Sequence, residues 1–312
     1  METVLVLRAL GLGDLLTAVP ALRALRRARP TARLVLAAPA GLRDLALLTG
    51  AVDELMPVAP LEPLPMAVSG ADLAVNLHGR GPQSTALLAA TGPLRLLSYG
   101  LPDGPRWRAD EHEVLRWCRL LEESGLAADP ADLHLPAPGL RPSVRGATLV
   151  HPGAAQVSRH WPVEHWADVA RGLVAAGHDV RVTGGAEERG LAERVAAAAG
   201  LDQDRVLAGR TDLLGLAALV AAARLLVSVD TGVAHLATAL GTPSVVLFGP
   251  TAPALWGPPG SRPQHRVLWA GRTGDNFADH PDPGLLELTP EQVLATAQEL
   301  APSARPRVRD AG

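Results

Sequence analysis

The sequence contains no lysine: all 29 of its basic residues are arginine. That excludes a lysine nucleophile, a Schiff-base lysine and the lysine of a phosphate-binding P-loop. A phosphate bound here has to be met by arginine, by backbone N–H groups or by a metal. Cysteine is almost absent too. Cys118 stands alone, so no disulfide framework and no cysteine-built zinc site can form within the chain. It is expected as a small buried apolar residue on a helix. Net charge is only −3, which leaves no positive field to hold a polyanion, and nucleic-acid binding is not expected. Long apolar runs are also missing. The longest, residues 213–229, is broken by Arg224 and is too short for a membrane span. The start, METVLVLRALGLGD, lacks the apolar core of a signal peptide, and a cytoplasmic chain is expected.

What is present suffices for real cores. Hydrophobic residues make up 47% of the 312, and that length suits two domains of ordinary size. Short apolar runs alternate with helical patterns. Strands are predicted at 3–8, 33–37, 54–58 and 71–77, and helices at 15–28, 42–48, 83–90 and 111–124. A Pro- and Gly-rich stretch, 135–146, reads as a linker. Beyond it the alternation restarts. Strands are expected at 147–151, 179–183, 206–207, 225–229 and 244–248, and helices at 163–176, 187–199, 213–223 and 233–240. Such alternation argues for parallel sheets covered by helices, hence two Rossmann-like domains that bind ligands at the carboxyl ends of their strands. Thr289-Pro290-Glu291 opens a last helix with a good N-cap and a proline suited to its first turn.

Four stretches carry chemistry. Leu10-Gly11-Leu12-Gly13-Asp14 lies between the first strand and the first helix. Its glycines read as a tight turn open to a ligand. Asp14 fits either an ordinary helix cap or a carboxylate at the edge of a site. A dinucleotide fingerprint needs glycine at position 16, which is Leu16, so a dehydrogenase is disfavoured. Ser228-Val229-Asp230-Thr231-Gly232 runs from an apolar strand into a helix that carries His235 one turn in. A helix start of this kind is a site for an anion such as a diphosphate. His235 is either a satisfied core histidine or part of that site. Asp-Thr-Gly occurs once, and the α/β pattern around it rules against an aspartic protease.

The third stretch, His151-Pro152-Gly153-Ala154 followed by Ser158-Arg159-His160-Trp161-Pro162, places a glycine loop after a strand. Arg159 stands just before a helix start, able to meet a phosphate with its fork. Trp161 and Trp166 read as packing. The fourth is Thr183-Gly184-Gly185-Ala186-Glu187-Glu188, where one glutamate at a strand end suits a ribose diol. Helix-start charge complementarity explains it equally, and the choice between Glu187 and Glu188 stays open. Thr211 reads as a cleft residue or a helix cap, and His78 as a cleft residue on the acceptor side. Asp202-Gln203-Asp204 has metal-binding spacing but reads as a solvated turn. With H-E-x-x-H absent, no metal and no cofactor are expected. The apolar stretches 42–48 and 61–66 fit either core packing or a lip for peripheral membrane contact.

In combination these stretches resemble glycosyltransferase family 9, the ADP-heptose:lipopolysaccharide heptosyltransferases. The matching segments are LGLGDLLTAVPALRALRRARP, ADLAVNLHG, HPGA…SRHWPVEHW, VTGGAEER and LLVSVDTGVAHLATALGTPSVVLFGPT, which together reach from about residue 3 to residue 260. The resemblance implies a GT-B fold, two Rossmann-like domains with parallel sheets facing across a cleft. Residues 1–140 would form the acceptor domain and 141–288 the nucleotide-sugar domain. Residues 289–301 would be a helix packing back on the N-terminal domain, and 302–312 a flexible tail. It also implies inverting, metal-independent transfer of a heptose or related sugar from a nucleoside-diphosphate donor, an ADP-sugar favoured. The acceptor would be a glycan, lipid-linked or small-molecule hydroxyl. Asp14 matches the family's catalytic base. Gly13, Gly153, Ala154, Arg159, Glu187 or Glu188, Thr211, Asp230, Thr231, Gly232 and His235 fall on the donor side. Arg159 stands where the lipopolysaccharide enzymes carry lysine, and Gly153-Ala154 where the family often carries hydroxyl residues. Two alternatives share the architecture: a nucleotide-sugar epimerase, and a non-catalytic nucleotide-sugar-binding partner subunit.

Overall fold

The computed structural model describes residues 1–301. The flexible tail expected at 302–312 lies outside the described residues. Two compact units emerge among the described residues, one of Met1–Gly139 with Ala254–Pro259, the other of Leu140–Pro253 with residues 260–301. The change of unit at Gly139 lies inside the Pro-rich stretch 135–146. Leu135 in that stretch is nevertheless fully buried, so its first residues belong to a core.

The first unit runs β1 (Thr3–Leu7), α1 (Leu12–Thr17), α2 (Val19–Ala28), β2 (Arg33–Ala38), α3 (Arg43–Leu48), β3 (Glu54–Pro57), β4 (Leu73–Asn76), α4 (Gln83–Ala89), β5 (Leu96–Leu97) and α5 (Glu113–Glu122). Its sheet has the order β3-β2-β1-β4-β5, and every pair is parallel. Val4, Leu5 and Val6 are fully buried, as expected of a central parallel strand covered on both faces. The single helix predicted at 15–28 is instead two. Pro20 lies in the first turn of α2 and has no N–H to continue the ladder of α1. Cys118 is buried on α5, and burial pushes its thiol up to about 12, as suits an inert core residue.

The second unit runs β6 (Thr148–His151), α6 (Val163–Ala175), β7 (Val180–Val182), α7 (Arg189–Ala199), α8 (Leu213–Ala221), β8 (Leu225–Val229), α9 (Gly232–Leu240), β9 (Ser244–Phe248), β10 (His265–Trp269), α11 (Pro283–Leu286) and α12 (Pro290–Leu300), while the single turn α10 (Pro253–Trp256) falls, from Ala254 on, in the first unit. Its sheet, also parallel throughout, has the order β10-β9-β8-β6-β7. The strand expected at 206–207 is a single bridge from Val206 to Val182. Gly200 and Gly241 end α7 and α9 in the left-handed conformation, with φ of 71° and 73°.

Trp161 and Trp166 meet edge to face at 5.1 Å inside this core, so both are packing residues. α12 was expected on the N-terminal domain. It lies instead in the second unit against α6, where Val293 and Ala297 join Val169 and Leu173 in one cluster. Its apolar face matches the helix next to it in space, and Thr289 and Gln292 form a reciprocal capping box at its start. Among the described residues no helix is long and apolar enough to cross a membrane.

Both sheets change direction at their middle. In the first the chain steps from β1 out to β2 and β3, then returns to β4 on the other flank of β1. In the second it steps from β6 to β7, then returns to β8 on the other flank of β6. The crevices at the carboxyl ends of β1/β4 and β6/β8 are the switch points where sheets of this type bind ligands.

Trp166 is fully buried, so Trp166→Ala should destabilise the second unit by about 3–5 kcal/mol. Urea unfolding checks this through a lower midpoint. An unchanged midpoint would mean that the indole does not hold the core together.

Candidate functional site

At the first switch point Arg8 follows β1 directly and is 1% exposed. Its Nε donates to the Asp14 carbonyl at 2.8 Å, and its Nη1 donates to the Leu77 carbonyl at the end of β4. Nη2 donates to Glu113 Oε1 at 3.0 Å, and lies 3.2 Å from Thr17 Oγ1 and 3.3 Å from Asp14 Oδ1. The guanidinium also stacks over the Trp117 ring, 4.8 Å from its centroid. Asp14 Oδ2 accepts the Gly11 N–H at 3.1 Å at the start of α1. Asp14 caps a helix, and its carboxylate remains 27% exposed while held from behind.

The glycines in this loop do not make the tight turn expected of them. Gly11 has φ −76° and ψ −175°, ordinary extended backbone, and Gly13 lies within α1. His78 stands beside them, its Nδ1 accepting the Ala9 N–H at 3.1 Å. Burial lowers its pKa first and Arg8 lowers it further, against the pull of Asp14, so the ring is held neutral. With Nδ1 accepting, the ring proton sits on Nε2. Asn76, fully buried, accepts the His78 N–H at 3.0 Å and donates to Ser84 and Ser98.

At the second switch point Asp230 ends β8 with only 3% of its surface exposed. Its carboxylate lies 3.3 Å from Arg159 Nη1 and 3.9 Å from His235 Nε2. Burial raises its pKa, and Arg159 and His235 oppose that rise. Arg159 Nη1 also donates to the Asp230 carbonyl at 2.9 Å, and Arg159 Nε donates to Asn276 Oδ1 at 2.9 Å. Thr231 is the extended N-cap of α9, and its side chain makes no cap bond. The first N–H groups of such a helix have no partner within it.

On the other side of β6, Glu188 rather than Glu187 reaches the strand ends. Its Oε2 accepts the Gly185 N–H at 2.7 Å and lies 3.7 Å from His151 Nε2, whereas Glu187 is exposed. The carboxylate occupies the space a side chain at Gly153 would need, so a larger residue there would have to displace the Glu188 side chain. Buried His151 hydrogen-bonds Thr183 through Nδ1, at 3.0 Å. Burial lowers its pKa against the pull of Glu188. Ala154 offers its carbonyl to His160 at 2.9 Å. Thr211 is not the cap of α8. Asp212 is, accepting the Gly215 N–H at 2.7 Å.

Among the described residues no group of three or more His, Cys, Asp or Glu is placed to hold a metal ion. Asp204 of the D-x-D spacing is largely exposed beside Arg181 and Arg205, as a solvated turn requires. Of the apolar stretches, Leu42 and Leu45 are core, while Leu61 and Met66 are 51% and 83% exposed.

The family model described as glycosyltransferase family 9 (heptosyltransferase) matches residues 106–276, more than half of the chain. The chain belongs to glycosyltransferase family 9. It is 43% identical over 114 residues to lipopolysaccharide heptosyltransferase 1 of Pseudomonas aeruginosa, covering 36% of this chain and 31% of that one. It is 33% identical over 144 residues to lipopolysaccharide heptosyltransferase 2 of Escherichia coli K12, covering 44% and 41%. These matches thus span less than half the length of the curated relatives. The fold is shared more widely. The E. coli ADP-heptose lipopolysaccharide heptosyltransferase II superposes with a TM-score of 0.75 at 24% identity, over 96% of this chain and 98% of that one. A family 9 glycosyltransferase of Veillonella parvula does so with a TM-score of 0.77 at 22% identity, over 96% and 97%.

In this family 9 chain the sequence reading passed over Arg8, Glu113, His151 and Asn276. An arginine closing the apolar strand TVLVL was a visible signal. Nothing local links Arg8 to Glu113, which lies 105 positions away. Glu113 also binds Arg116 and accepts the Trp117 indole N–H at 2.8 Å. Burial works to raise its pKa, but Arg8 and Arg116 outweigh burial and hold it below the usual carboxylate range.

Glu113→Ala should therefore cost about 3–5 kcal/mol at neutral pH, because it leaves the buried Arg116 guanidinium without a carboxylate and Arg8 with Asp14 alone. A depressed folded-state pKa gives stability that is present above the unfolded value and lost as pH falls through the folded one. Urea unfolding of the native chain and the variant should converge as the solution is acidified. A gap that stays constant would show that the carboxylate charge is not what stabilises.

Proposed function

We propose that this chain transfers a heptose or related sugar from a nucleoside-diphosphate donor, ADP-linked by preference, to a hydroxyl of a glycan. The transfer is inverting and needs no metal. The observation that carries the reading is Asp14, an accessible carboxylate pinned at the first switch point by Arg8 and by the Gly11 N–H. Support comes from family membership, and from structural neighbours that include an E. coli heptosyltransferase solved with ADP, at a TM-score of 0.74 and 22% identity.

Asp14 takes the proton of the acceptor hydroxyl as its oxygen attacks the anomeric carbon. The C–O bond to the diphosphate breaks on the opposite face, and its electron pair leaves with the phosphate oxygen. One displacement of this kind inverts the anomeric centre. Arg159 and the start of α9 at Thr231–Gly232 meet the charge that develops on the leaving diphosphate. Asp230 is too buried to reach a ligand, and it acts by holding Arg159 and His235 in place. Glu188 takes the ribose hydroxyls, with Gly153 and Ala154 bringing backbone close to the phosphates. His78 donates from Nε2 to an oxygen of the acceptor.

Asp14→Ala should lower the turnover of ADP-heptose with a heptose-deficient lipopolysaccharide acceptor by about 10²–10⁴-fold. Affinity for ADP should change by no more than about twofold, since the loss falls on the transition state. Added EDTA should change neither quantity. Undiminished turnover in the variant removes Asp14 as the base. Release of an epimerised sugar without acceptor would favour an epimerase.

A further inference from the structure

The loop after β10 reaches back to the donor side of the second sheet. Asn276 lies on it, partly buried. The Asn276 carbonyl accepts the Ser158 hydroxyl at 2.7 Å, and its side-chain Oδ1 accepts Arg159 Nε at 2.9 Å. The Asp282 N–H donates to the Ser158 carbonyl at 2.9 Å, which closes a second tie between the same two segments. The Asp282 side chain in turn caps α11, accepting the Leu285 N–H at 3.0 Å. The Gly274 N–H donates to the Pro250 carbonyl at 3.0 Å, so the loop is braced on both sides of Asn276.

Arg159 is therefore gripped at two points. Asn276 holds Nε, and Asp230 holds Nη1 through both its carbonyl and its carboxylate. The rotatable bonds of the side chain are thereby restrained, and the guanidinium plane is set. Nη2 carries the two N–H bonds that these grips do not use. A fork held at Nε and Nη1 presents Nη2 without an ordering cost at the moment an anion binds. Asn276 suits this better than a carboxylate. An amide oxygen holds Nε without neutralising a cation whose charge is needed for phosphate.

We infer that Asn276 is a positioning residue for the donor diphosphate, acting through Arg159, and that the loop after β10 is part of the donor site of this chain. The inference rests on the reading of Arg159 as a diphosphate ligand.

The experiment uses the full chain and isothermal titration with ADP, GDP, UDP, CDP and dTDP, taking forward the diphosphate that binds most tightly. Asn276→Ala, Arg159→Ala and the double variant are compared, with melting curves as the control for folding. Asn276→Ala is expected to weaken binding about tenfold while the melting temperature holds. In the Arg159→Ala background the same substitution is expected to have no further effect, because the grip has nothing left to orient. A structural disturbance of the loop would add its loss in both backgrounds, and that result overturns the proposal. Native binding that falls in Arg159→Ala but not in Asn276→Ala overturns it alone and leaves the donor reading intact. Absence of binding by any diphosphate, or binding indifferent to Arg159→Ala, removes the donor reading and the proposal with it.

Discussion

Parallel pairing about a central strand is the constraint on which the rest depends. A parallel sheet cannot be closed by hairpins, so every connection crosses over, and the crossovers have to cover both faces. When the chain fills one flank and then the other, the two middle strands send their connections apart. The backbone leaves a crevice at their carboxyl ends, and each sheet of this chain has one. Residues that end β1, β4, β6 and β8 stand at those crevices because of strand order, whatever their chemistry.

The two crevices are furnished differently. The first is built around a buried cation. Arg8 has almost no contact with water, so its charge has to be met by protein, and the carboxylates of Glu113 and Asp14 with two carbonyls do so. One of those carboxylates, Glu113, is buried; the other, Asp14, is partly exposed. The second crevice is built around a buried anion. Asp230 is kept from water, and a guanidinium and an imidazole are drawn towards it. What each crevice offers outward is the partner of its buried charge: a carboxylate at the first, a cation at the second.

The elements that sequence reading found are those whose signal is local. β1, β4, β6, β8 and β9 are short segments with apolar residues at their centres, buried almost throughout because both their faces are covered. The strands it missed sit at sheet edges. β5 has two residues, and β10 carries His265, Arg266 and Trp269, so neither shows an apolar run. Helix boundaries moved where one residue overrode periodicity, as Pro20 did. The last helix was assigned to the wrong domain because its amphipathic face shows that it packs, but not against what.

The same division holds for the site. Strand–glycine–helix junctions, the Asp-Thr-Gly turn and the arginine before α6 were legible because each motif and its geometry lie within a few residues. The residue types and their order along the chain determined two parallel α/β units with glycine-containing loops at strand ends, and limited any phosphate ligand to arginine, backbone or metal. Tertiary structure alone decided which glutamate faces Gly153, that Asp230 is buried rather than offered, and that Glu113 and Asn276 lie behind Asp14 and Arg159. Those pairings join positions 105 and 117 residues apart. A contact across such a separation exists only once strand order has brought the segments together, so no local pattern records it.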